Sequence, residues 1–98
     1  YAVILSAGLK GIENEYELAP EVTEDLQALS SAERRAMGYH SLPSSLHDAI
    51  QRTEDSDFMA EILGEQVFEQ FLRNKRNDWN AYRAEVTPYE LKNNLNIL

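Results

Sequence analysis

Glu65-Gln66-Val67-Phe68-Glu69-Gln70-Phe71-Leu72-Arg73-Asn74-Lys75-Arg76-Asn77-Asp78-Trp79-Asn80-Ala81-Tyr82-Arg83-Ala84-Glu85 is the stretch that decides the fold. Val67, Phe68, Phe71, Leu72, Lys75, Trp79 and Tyr82 recur at three- and four-residue steps, the spacing of one helix face. The pattern predicts one long helix over residues 65–85. Lys75 falls inside the apolar stripe, where its stem can bury while its ammonium reaches water. Glu69 and Arg73 are placed for an i,i+4 ion pair on the flank.

The punctuation on both sides of this helix predicts further short helices. Downstream, Thr87-Pro88-Tyr89-Glu90 combines a capping box with proline at the first helical position, and a short helix carrying Leu91 and Leu95 follows. Upstream, Gly64 ends or bends a helix over 57–63 that Ser56 can cap, with Phe58, Ile62 and Leu63 facing in. Ser45-Leu46-His47-Asp48 caps another, with Leu46, Ala49 and Ile50 on one face. Leu42-Pro43 breaks the chain, because proline disfavours a helical residue before it. Ser30-Ser31-Ala32-Glu33 is a capping-box pattern for a helix over 32–37 that ends at Gly38.

The first residues read differently. Tyr1, Ala2, Val3, Ile4, Leu5, Ala7, Leu9 and Ile12 form a helix that is apolar almost all round, so it must be buried on most sides. No Ser, Thr, Asp or Asn precedes it as a cap, as if the helix were entered in the middle, and Gly8 and Gly11 are expected to mark its end. Residues 13–29 then carry Pro20, many carboxylates and no period. They are either a mobile acidic linker or an ordered segment packed on something else. No strand and no internal repeat is evident, so the fold class is all-α, and residues 1–98 are expected to be part of an incomplete domain.

Composition narrows the function. The chain has 98 residues, enough for one small domain at most. With no cysteine it has neither disulfides nor thiolate metal sites, which fits a reducing cytoplasm. Lys10 interrupts the only strongly apolar stretch, so no membrane span is expected. A net charge of −8 repels phosphate backbones and argues against nucleic acid as a partner.

No catalytic constellation emerges. His40 and His47 lie either side of the proline break and fit no metal-ligand pattern such as H-E-x-x-H. Ala7-Gly8-Leu9-Lys10-Gly11 lacks the G-K-[ST] ending of a phosphate loop. Glu13, Glu15, Glu17, Glu21, Glu24 and Asp25 lack the spacing and central glycine of a calcium loop and read as a solvated face. The serines are accounted for as helix caps, and Trp79 and Tyr82 as core. Catalytic, cofactor-binding and metal residues are therefore expected to be absent from this chain.

Three stretches, in order and in register, resemble the glutamine synthetases, specifically the type I group. Ala2-Val3-Ile4-Leu5-Ser6-Ala7-Gly8-Leu9-Lys10-Gly11-Ile12 is similar to the helix after that family's Asn-Pro-Tyr-Leu motif. Leu42-Pro43-Ser44-Ser45-Leu46-His47-Asp48-Ala49 resembles its LP-x-(S/N)-L-x-x-A segment. Leu63-Gly64-Glu65-Gln66-Val67-Phe68, Lys75-Arg76-Asn77-Asp78-Trp79, Tyr82-Arg83 and Val86-Thr87-Pro88-Tyr89-Glu90 resemble its closing LGEHVF, KR-x-EW and YR-x-x-VTP-(F/W)-E run.

The resemblance implies that the chain is a C-terminal helical segment of an α+β catalytic domain. The parent would be an ATP-dependent glutamate–ammonia ligase using Mg²⁺ or Mn²⁺, cytoplasmic, and built as two stacked hexameric rings. The family's catalytic residues lie before this segment, so none maps onto a residue here, and the segment alone is expected to be inactive. By the same resemblance Leu91, Leu95, Ile97 and Leu98 would insert between the rings; the alternative is that they fold back on the long helix. A glutamate–amine or glutamate–polyamine ligase of the same fold remains open. A stand-alone helical interaction module would also lack a site, but it leaves the uncapped apolar start and the three motifs in register unexplained. In place of the Asn-Leu-Tyr-Asp-Leu loop of adenylylated members stands Glu24-Asp25-Leu26-Gln27-Ala28-Leu29. Tyr16 and Tyr39 flank it outside any matching motif, so the resemblance does not extend to adenylylation control.

Overall fold

The computed structural model describes residues 1–95, and among them the chain is helical with no strand. The elements are α1 (Ala2–Glu13), α2 (Ser31–Ala36), α3 (Leu46–Glu54), α4 (Asp57–Leu63), α5 (Glu65–Ala84) and α6 (Pro88–Asn94). They fall into two compact units, α1 and α2 in Tyr1–Ser44 and the rest from Ser45 onward.

In the second unit α3 and α4 pack on α5 and on each other. Ile50 of α3 and Leu72 of α5 form its buried core. Phe68, Lys75 and Trp79 are half-buried beside Leu72, as are Ala49, Phe58, Ile62 and Leu63 across from α5. The stripe predicted on α5 is only partly covered, however. Val67, Phe71 and Tyr82 remain exposed. The physical reason is width: the stripe wraps around more of the cylinder than two short helices on one side can shield. Lys75 behaves as its position predicts, half-buried with its ammonium 3.4 Å from Asp78. The Glu69–Arg73 pair does not form. Instead Arg76 crosses to Glu54 at the end of α3.

The junctions among these helices are short: Asp55 and Ser56 join α3 to α4, and Gly64 alone joins α4 to α5. The Ser56 N–H donates to the Thr53 carbonyl at the end of α3, while its hydroxyl accepts the Met59 N–H at 3.2 Å and opens α4. The Gly64 N–H closes α4 on the Ala60 carbonyl, and its own carbonyl accepts the Phe68 N–H, the first turn of α5. Gly64 thus both ends one helix and starts the next. Its φ of 77° and ψ of 155° belong to a region essentially reserved for glycine.

In the first unit α1 runs past both of its glycines to Glu13, contrary to the expected stop. It ends in a Schellman motif. The Tyr16 N–H donates to the Gly11 carbonyl and the Glu15 N–H to that of Ile12, with Glu15 at φ 51°. The Tyr16 ring covers Gly11, its Cδ2 lying 3.8 Å from where a Cβ would stand. Gly11 therefore serves the cap from inside the helix. Helix α2 is capped by Ser30 as predicted and closes the same way, Tyr39 N–H to the Arg34 carbonyl with Gly38 at φ 85°. Between them residues 16–30 form no regular element. Asp25 holds a local turn by accepting the Gln27 N–H at 3.0 Å, and the Tyr39 hydroxyl donates to Glu24 at 3.5 Å.

Candidate functional site

The residues singled out for assembly begin on α6. Thr87 and Glu90 form the predicted capping box, with the Thr87 N–H donating to Glu90 Oε2 at 2.8 Å and the Glu90 N–H to Thr87 Oγ1 at 3.2 Å. Pro88 fits at the first helical position because its missing N–H would have had no helical partner there. This fixes a short helix whose side chains stand off the unit. Among the described residues α6 packs on no other helix of its unit. Leu91 and Leu95 are 48% and 63% exposed. With Val86, Glu90 and Asn94 they line a shallow groove of about 280 Å³. Ile97 and Leu98, the other two predicted contacts, lie outside the described residues.

A concavity of about 770 Å³ lies along α5. Ala60, Phe68 and Leu72 contribute apolar surface, and Glu54, Glu65, Glu69, Arg73 and Arg76 the charges. The Glu54–Arg76 ion pair spans it, both side chains 44% exposed, so solvent screens the pair. Beside it His47 stacks on Trp79, which also meets Tyr82. His47 is thereby an aromatic packing partner on the surface.

The hydroxyls of Ser30, Ser45 and Ser56 each accept a helix N–H, which is the capping role expected of them. Among the described residues no group of three or more His, Asp or Glu side chains is arranged to hold a metal ion. No helix among them is long and apolar enough to cross a membrane. What the structure does present is apolar surface in search of cover: Ile4, Leu5, Leu9 and Ile12 on α1, Val67 and Phe71 on α5, Leu91 and Leu95 on α6. The α5 patch was not singled out from the sequence. Its signal was available in the width of the stripe, which exceeds the reach of two short neighbouring helices.

A family model described as the catalytic domain of glutamine synthetase matches residues 1–94. A glutamine synthetase of Mycolicibacterium smegmatis is 53% identical over 97 residues, which is 99% of this chain and 22% of that protein. One from Mycobacterium tuberculosis is 52% identical over the same share of each. One from Methanosarcina mazei is 39% identical across 100% of this chain and again 22% of its own length. The chain thus spans less than a quarter of these relatives, and the likeness extends from α1 through α6. It belongs to the glutamine synthetase catalytic-domain family.

Proposed function

We propose that this chain is the C-terminal helical segment of an ATP-dependent glutamate–ammonia ligase, and that it contributes packing and subunit assembly, not reacting groups. The observation that carries this reading is the 53% identity over 97 residues to a protein named glutamine synthetase. The exposed apolar faces of α5 and α6 support the assembly role. The parent would use ATP with Mg²⁺ or Mn²⁺, in the cytoplasm. Among the described residues no group of three or more His, Asp or Glu is arranged for a metal ion, and in this reading the rest of the polypeptide would hold ATP and the metal. The parent's assembly would be two stacked hexameric rings, with Leu91, Leu95, Ile97 and Leu98 as the inter-ring contact.

The test is to purify the full-length protein and follow glutamine formation and ADP release with glutamate, ATP and Mg²⁺. Ammonium is compared with a panel of amines and polyamines. Ammonium-dependent turnover is the expected result. Preference for an amine would move the protein to the glutamate–amine ligases of the same fold.

A further inference from the structure

Helix α1 has one continuous apolar face. Tyr1, Ile4, Leu5, Leu9 and Ile12 lie on the same side and are all at least 51% exposed. Val3, Ser6 and Lys10, on the opposite side, are half-buried. Within its unit the helix packs on no other element. In the middle of the exposed face Ile4, Gly8 and Ile12 follow at i, i+4 and i+8, and Gly8 leaves a notch between two bulky side chains. A Cβ on Gly8 would meet nothing within 4 Å. Glycine inside a helix costs stability relative to alanine, and nothing in this unit repays that cost. A second element lying close against the helix backbone would.

Two occupants fit an apolar face of this kind: another copy of the chain, or more of the same polypeptide. The relatives decide between them. Their likeness to this chain includes α1 from its first turn, yet the chain covers only 22% of their length. The family match to residues 1–94 is moreover to part of a single catalytic domain. A helix inside a domain is covered first by its own domain. We propose that the Ile4–Gly8–Ile12 face of α1 is seated against the polypeptide that lies outside these residues in the full-length protein, and that Gly8 is the point of closest approach. This rests on the reading of the chain as part of a longer ligase. It adds which face is covered, by what, and why a glycine stands at its centre.

The test uses the full-length protein with cysteine introduced at one position at a time. Leu5→Cys and Ile12→Cys report the face, and Glu13→Cys, exposed at the helix end, serves as the control. Maleimide labelling at each site is followed by mass spectrometry, in the assembled protein and after dilution to separated subunits. Labelling of the two face positions at least about tenfold slower than the control, at every dilution, is the expected result. Equal rates would overturn the proposal. So would protection that vanishes on dilution, because that identifies a second copy as the cover. Gly8→Ala gives an independent sign. On an uncovered helix alanine raises the thermal midpoint; beneath a close neighbour it lowers it. A raised midpoint overturns the role of Gly8. Ligase turnover enters none of these readouts, so a failure of the ammonium reading is distinguishable from a failure of this one.

Discussion

Trp79 of α5 lies against His47 of α3, ring centroids 5.7 Å apart and planes inclined by 29°. The contact ties the C-terminal half of α5 to the start of α3, whose other end is joined to α5 by the Glu54–Arg76 ion pair. Trp79→Ala is expected to destabilise the second unit by about 2 kcal/mol, less than a fully buried tryptophan because Trp79 is half-buried. His47→Ala should cost less. Urea unfolding of the full-length protein measures both, and equal costs would contradict a tryptophan-dominated contact.

Among the described residues Leu72 and Ile50 are the two buried side chains, each at 4% exposure. Leu72→Ala should remove about 2–5 kcal/mol, combining lost burial with a cavity. Its neighbour Arg73 lines the groove and makes no ion pair with Glu69. Arg73→Ala is therefore expected to stay within about 0.5 kcal/mol. The pair of measurements separates core from groove wall one residue apart.

Gly64→Ala should cost about 1–3 kcal/mol through backbone conformation alone. A Cβ there would meet nothing within 4 Å, so Gly64→Ser should cost the same as Gly64→Ala. A penalty that grows with side-chain size would mean that another part of the full-length protein crowds this joint.

Loss of the α6 capping box by Thr87→Ala should cost about 0.5–2 kcal/mol locally. If α6 joins the rings, that change weakens assembly without touching any apolar contact. In the proposed assembly of two stacked hexameric rings, deleting Leu95 to Leu98 should act more strongly, shifting the full-length protein from dodecamers toward hexamers with each ring intact. Size-exclusion chromatography with light scattering at low concentration is the check, and an unchanged dodecamer refutes the clasp.

Residues 1–98 on their own should show no γ-glutamyl transfer, since phosphoryl transfer needs metal ions and cations positioned around ATP. They should also self-associate at micromolar concentration, because apolar surface on α1, α5 and α6 lacks cover. Sedimentation velocity tests the second point. Turnover abolished by a substitution within these residues would overturn the first.

Where local chemistry decides, residue types alone predicted the outcome. Ser30, Ser45, Ser56 and Thr87 each cap the helix expected of them, and the period of 65–85 places α5 to within one residue of its end. The end of α1 was not legible, because Glu15 adopts a left-handed conformation that a glycine two turns earlier made less conspicuous. Nor was the exposed half of the α5 stripe. Periodicity reports how much apolar surface a helix carries, not how much its neighbours have to offer. The inter-ring residues were named from resemblance, and the structure describes Leu91 and Leu95 among them as exposed.

The two-residue joint at Asp55 and Ser56 and the single residue Gly64 leave α3, α4 and α5 with little slack between them. Each added residue would turn the following helix by about 100° about its axis. One insertion at Gly64 would swing Leu72 out of the core and Phe71 toward it. Length here is consequently as constrained as side-chain identity. Drift along this stretch can proceed only by replacement, and the places where the chain can grow or shrink are the irregular residues 16–30 and the break around Pro43.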